Sequence, residues 1–137
     1  MSERQEEVLG ILVGHGRLAE GLLDAVREIT GSREGLLSID NQGMTPETLE
    51  QRLDEATAER RAVVFVDLPS GSCAFAARRL RTRHERLAVV CGVNLPLLLD
   101  FVFHRTLPLE EIVERLRRHV GVSIEHAQDA DSSVSSR

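Results

Sequence analysis

Five consecutive apolar residues, Ala62-Val63-Val64-Phe65-Val66, stand between Arg60-Arg61 and Asp67. A strand with one face in water alternates apolar and polar residues. An unbroken run is what a parallel strand shows when both of its faces are covered. That run therefore commits the chain to a sheet layered by helices on both sides. Further apolar runs at Val8 to Val13, Leu36 to Ile39 and Leu87 to Cys91 supply the other strands. Between them apolar residues recur at helical spacing: Leu18, Leu22, Val26 and Ile29, then Leu49, Leu53 and Ala56, then Phe75, Ala76, Ala77 and Leu80. Leu97, Leu98, Phe101 and Val102 mark a further helix, and Ile112, Val113 and Leu116 another near Pro108 to Val120. Thr45 and Pro46 read as the N-cap and first residue of the second helix, and Gly31 as the residue that ends the first.

Strand and helix alternate four times over short loops, which predicts an α/β fold: an open, mainly parallel four-stranded sheet of order 2-1-3-4. Val122 to Ile124 suits a short antiparallel edge strand at the C-terminus. At 137 residues the chain fits one domain over residues 1–126, followed by a polar, serine-rich tail over 127–137 that is expected to be disordered. The net charge of −5 argues against nucleic acid as the main partner. No apolar stretch reaches the roughly 20 residues that span a bilayer, and Ser2 to Glu7 is too polar for a secretory signal, so no membrane insertion and a cytoplasmic location are expected. Cys73 and Cys91 lack metal-ligand spacing, no metal or other cofactor is called for, and both read as small apolar fillers. His84, His104, His119 and His126 read as surface or helix-end residues. Arg78, Arg79, Arg81, Arg83 and Arg86 read as a solvated helix face.

In an open α/β sheet, ligands bind beyond the carboxyl ends of the strands where the strand order reverses. Three loops reach that place. The first holds Gly14-His15-Gly16-Arg17, the third Asp67 and Ser70-Gly71-Ser72, and the fourth Asn94. With strands one and three adjacent, His15 and Asp67 face each other across the crevice. A neutral imidazole with a usual pKa near 6.5 has a free lone pair at pH 7, and a carboxylate on its other nitrogen fixes the tautomer and offsets developing positive charge. Backbone N–H groups near Gly16-Arg17 and Gly71-Ser72, with the Ser72 hydroxyl, are candidate donors to phosphoryl oxygens. Plainer roles stay open: Asp67 or Ser72 as a helix N-cap, Arg17 as a solvated first-turn residue, Asn94 as a loop-shaping residue. A Ser72-His15-Asp67 hydrolase triad is disfavoured because Gly-x-Ser-x-Gly is absent around Ser72.

These motifs resemble the enzyme IIA domains of the mannose branch of the bacterial phosphoenolpyruvate:sugar phosphotransferase system. The likeness rests on Gly14-His15-Gly16 with Leu18-Ala19-Glu20-Gly21-Leu22-Leu23, on Val66-Asp67 with Ser70-Gly71-Ser72, and on Gly92-Val93-Asn94-Leu95-Pro96-Leu97-Leu98. It implies a homodimer whose His15 accepts a phosphoryl group from HPr and passes it to a IIB domain. It further implies that Asp67 bonds the second imidazole nitrogen and that the Ser72 loop touches the phosphoryl oxygens. Gly14, Ser70 and Asn94 then shape the site. Ser70 and Cys73 depart from the family's usual glycine and proline at those places. A regulatory module read in its phosphorylated state, or a phosphoryl donor to a dihydroxyacetone-type kinase, would use the same chemistry.

Overall fold

The computed structural model describes residues 7–119 and 121–129. Its elements follow in the order β1 (Leu9–Gly14), α1 (Leu18–Thr30), β2 (Leu36–Asp40), α2 (Pro46–Thr57), β3 (Ala62–Val66), α3 (Ser72–Arg81), β4 (Leu87–Cys91), α4 (Leu95–Val102) and α5 (Leu109–Arg117). The strands form one sheet in the order β2-β1-β3-β4 with every pairing parallel, as the sequence predicts. Strands β1 and β3 are fully buried, while β2 and β4 at the edges are partly open.

The sheet separates two cores. Val64 and Val66 point to one side with Leu49 and Leu53 of α2 and Cys73, Ala74, Ala77 and Leu80 of α3. Val63 and Phe65 point to the other with Leu23 and Val26 of α1, Phe101 of α4 and Ile112 and Leu116 of α5. On that second side the rings of Phe65 and Phe101 meet edge to face, with centroids 5.1 Å apart. Gly10 of β1 makes room for this packing, because a Cβ there would lie 2.6 Å from a ring carbon of Phe101. The second helix begins as predicted: the Thr45 hydroxyl accepts from Thr48 N at 3.1 Å and Pro46 occupies the first helical position. Gly31 ends α1 with φ 87°.

Several helical faces turn differently from the sequence expectation. In α1 the buried residues are Ala19, Leu23 and Val26, whereas Leu18 and Ile29 are largely exposed. The inward stripe is offset by one position, so only one edge of the apolar set meets the sheet. Phe75 is also outside, since α3 buries Cys73, Ala74, Ala76, Ala77 and Leu80 instead. Small residues let α3 lie close to the sheet, and a phenyl ring does not fit beneath it.

The last helix ends at Arg117 rather than near Val120, which lies outside the described residues. Val122 to Ile124 form no strand. A strand exists through its ladder of bonds to a neighbour; here Val122 and Ile124 are 79% and 80% exposed and pair with nothing in the described chain. At the start of the tail, residues 127–129 turn back on His126, whose carbonyl oxygen accepts from Asp129 N at 2.8 Å. Positions 130–137 of the expected disordered tail lie outside the described residues. His84, expected at the surface, is only 8% exposed, and its Nδ1 accepts from Arg86 N at 3.2 Å.

Candidate functional site

The register of the two central strands builds the site. Val13 of β1 pairs with Val66 of β3, so the next residues, Gly14, which still pairs with Asp40 of β2, and Asp67 lie side by side at the carboxyl end of the sheet. His15 then turns back over Asp67. Its backbone N–H donates to Asp67 Oδ2 at 2.8 Å, and its ring Nδ1 lies 2.8 Å from the same oxygen. Gly16 follows with φ 57°, a left-handed conformation that glycine takes without strain, and α1 starts two residues later.

This double contact fixes the chemistry of the ring. A carboxylate can only accept, so Nδ1 carries a proton, and in the neutral ring the lone pair is on Nε2. The His15 side chain is 56% exposed while that of Asp67 is 10% exposed. An open imidazole thus stands over a covered carboxylate. Burial pushes the Asp67 carboxyl up, but the N–H and the imidazole of His15 outweigh it and hold the group below the usual carboxylate value. Asp67 Oδ1 is buried and has no hydrogen-bond partner among the described residues.

The third loop supplies donors. Gly71, with φ 98°, is the N-cap of α3 and offers no side chain to the helix, and Phe75 N is the N–H that bonds back to Gly71 O. The first turn of α3, beginning at Ser72, therefore presents amides without helical acceptors beside Asp67. Asp67 is not the cap of α3 and neither is Ser72, which lies within the helix; Asp67 is committed to His15. Ser72 makes no hydrogen bond to His15, so the link that a serine triad requires is missing among the described residues.

The two departures from the family loop have simple accommodations. Ser70 does not take a positive φ, so the left-handed demand of this loop falls on Gly71 alone. Cys73 is buried at the second position of α3, where its Sγ accepts from Asn41 Nδ2 at 3.1 Å; burial and then the charge of Asp67 raise its thiol pKa.

Asn94 caps α4, its Oδ1 accepting from Leu97 N at 2.9 Å. The loop before it is fastened to the sheet by Gly92 N and Val93 N, which both donate to Val66 O. Asn94 thus shapes its loop. Arg17 stands at the N-cap position of α1 with no capping bond and no ion pair among the described residues. With Gly14, Gly16, Glu20, Asp40 and Arg52 it lines a cavity of about 300 Å³ on the β2 side of the His15 turn. Sequence reading passed over Arg52, which sits on the exposed side of an ordinary amphipathic helix.

Away from this end of the sheet, contacts distant in sequence form two charged clusters. Glu50 of α2, 7% exposed, is gripped by Arg79 of α3 and by Arg83 in the turn after it, each with an Nε at 3.0 Å. Two arginines of the expected solvated face therefore tie helices together. His104, Arg115 and His119 all converge on the carboxylate of Asp100, at 2.9, 3.0 and 2.6 Å.

A carboxylate-held, half-exposed imidazole stands at the switch point of a doubly wound sheet beside the N-termini of α1 and α3, an arrangement chemically suited to an anionic group. The comparisons with known proteins agree with that class. The family model described as PTS system fructose IIA component matches residues 10–117. The sorbose-specific EIIA component of the phosphotransferase system from Klebsiella pneumoniae is 32% identical over 115 residues, covering 80% of this chain and 84% of that one. Among solved structures, the phosphotransferase system component EIIA from Streptococcus agalactiae superposes with a TM-score of 0.75 at 23% identity, covering 81% of this chain and 90% of that one. The mannose/sorbose specific IIA subunit from Enterococcus faecalis does so with a TM-score of 0.69 at 20% identity, covering 89% and 99%. These two structures establish the shared fold. The chain belongs to the mannose-type IIA family of the phosphotransferase system. It is accordingly a phosphotransferase component that works with other proteins of that system in sugar uptake.

Proposed function

We propose that the protein is a histidine phosphoryl carrier which accepts a phosphoryl group on His15 Nε2 from phosphorylated HPr and hands it to a IIB domain. The observation that carries this reading is the shared oxygen: Asp67 Oδ2 lies 2.8 Å from both the N–H and Nδ1 of His15, leaving Nε2 as the nitrogen with a lone pair to give. In the forward step the Nε2 lone pair forms a bond to phosphorus, and the bond between phosphorus and the donor atom breaks, its electron pair returning to the donor. The ring gains positive charge, which the buried Asp67 carboxylate offsets without taking the proton. Charge spread over the equatorial oxygens meets the amides of Gly16-Arg17 and Gly71-Ser72 and the Ser72 hydroxyl. The return step is the same reaction toward the acceptor.

Two further elements complete the reading. The chain works in the cytoplasm as a homodimer, and the partly open edge strand β4 is available for pairing with a second copy. The reading is tested by intact-protein mass after incubation with phosphoenolpyruvate, enzyme I and HPr. An acid-labile gain of one phosphoryl group on the wild type and none on His15→Ala is expected. An equal gain on His15→Ala would overturn the assignment.

A further inference from the structure

The cavity of about 300 Å³ beside the His15 turn lies at the carboxyl end of β2, the edge strand of the sheet. There α1 arrives from one face and α2 from the other. The lining holds donors and acceptors of different kinds. Arg17 at the start of α1 and Arg52 of α2 bring two guanidiniums, neither with an ion pair or hydrogen bond among the described residues. The open first turn of α1 adds main-chain N–H groups. Acceptors come from Glu20, Ser38 and Asp40. The Ser38 hydroxyl donates to Glu20 Oε2 at 2.5 Å, and Asp40 Oδ1 accepts from Gln42 N at 2.9 Å. Each of these side chains keeps lone pairs for further O–H donors.

We infer that this cavity binds a small phosphate ester of a polyol, of the class of the hexose phosphates, and that the bound ester hinders phosphoryl acceptance at His15. A guanidinium pair matches a phosphate group, and carboxylates with a serine oxygen match hydroxyls. A bare anion would leave the carboxylates facing it, and a neutral sugar would leave both guanidiniums unmatched. The volume stands at the small end of cavities that hold such molecules. Phosphoryl transfer to a sugar ends in an ester of this class, so the cavity senses the product of the system that the chain serves. The effect on His15 rests on the carrier reading above. Gly14 and Gly16, on either side of His15, both line the cavity, and Arg17 is shared with the phosphoryl site. Two anions there repel and compete for one guanidinium, so each opposes the other.

Binding is measured first, on the unphosphorylated protein, by NMR shifts of main-chain amides during titration with fructose 1-phosphate, mannose 6-phosphate and sorbose 1-phosphate. At least one ester is expected to saturate with a Kd of about 1 mM or below and to move the amides of Gly16, Ser38 and Asp40. Free fructose and inorganic phosphate are expected to bind about tenfold more weakly or worse, since each leaves half of the lining unmatched. Arg52→Gln is expected to weaken the ester about tenfold, the loss of hydrogen bonds to a charged group. Arg81→Gln, exposed at the far end of α3, keeps the wild-type affinity. No saturation by any ester at about 10 mM, inorganic phosphate binding as tightly, or an equal loss in Arg81→Gln would overturn the site. The initial rate of phosphorylation by phosphorylated HPr, with and without saturating ester, is expected to differ about fivefold or more. An unchanged rate would remove the coupling and keep the site. Ester binding to a wild type that takes no phosphoryl group would remove the carrier reading and leave the site standing.

Discussion

A Cβ on Gly14 would lie 3.3 Å from Asp67 Oδ2, the oxygen that His15 N and Nδ1 share. A methyl group there would press the carboxylate back by a few tenths of an ångström. Gly14→Ala must tilt Asp67 away from the imidazole, and the rate of His15 phosphorylation is expected to fall about tenfold or more, since small displacements at a reacting centre are costly. The far-ultraviolet circular dichroism should match wild type, because the crowding is confined to one side chain.

Asp67→Asn keeps the shape and removes the charge. The amide can donate to Nδ1 and thereby select the tautomer in which Nε2 holds the proton, and it offsets no positive charge. Phosphorylation is expected to slow by about 10²–10⁴-fold, by analogy with removal of the carboxylate behind a catalytic histidine elsewhere. Rapid-quench measurement with phosphorylated HPr reads the loss directly. A rate within twofold of wild type would remove Asp67 from the mechanism.

The Asp100 carboxyl is pushed up by burial but held below its usual value by His119, Arg115 and His104. A depressed carboxyl pKa favours the folded state above the unfolded value of about 3.9, and that contribution disappears as pH falls through the folded value. Asp100→Asn should therefore cost about 1–3 kcal/mol at pH 7, the worth of hydrogen bonds to a charged group. The difference from wild type should shrink steadily below pH 4. Urea unfolding at pH 7 and pH 3 checks the sign.

Gly71 holds φ 98° at the cap of α3, and Ser70 beside it does not take a positive φ. Gly71→Ala is expected to lose about 1–2 kcal/mol or to rearrange the loop, since an L side chain is strained there. Ser70→Gly, which restores the family's residue, should leave the phosphorylation rate within twofold. Parallel thermal melts and phosphorylation assays distinguish the two positions.

Much of this fold is written in local pattern. Ala62 to Val66 and Leu87 to Cys91 match their strands to the residue, because unbroken apolar runs have one home in a layered sheet. The pairing of His15 with Asp67 also follows once β1 and β3 are neighbours, since parallel strands bring the residues after them to the same end. Helix orientation was harder to read. Leu18 and Phe75 carry the mark of core residues, and a stripe at helical spacing does not say which of its edges faces inward. Contacts across long separations left no local trace: nothing near Glu50 announces Arg79 and Arg83, and nothing near Asp100 announces His119. Val122 to Ile124 shows the converse, a strand-like pattern with no neighbour in its own chain to complete it.

The two central strands are buried along their whole length, while the outer two are partly open. Proteins of this build open from their margins, and the segments with the most layers around them are the last to exchange their amide hydrogens. His15 and Asp67 are each anchored to one of those innermost strands. Fraying at β2 or β4 would loosen the borders of the molecule and leave the imidazole seated on its carboxylate. A component that works with other proteins can then be mobile at its periphery without losing the contact between His15 and Asp67.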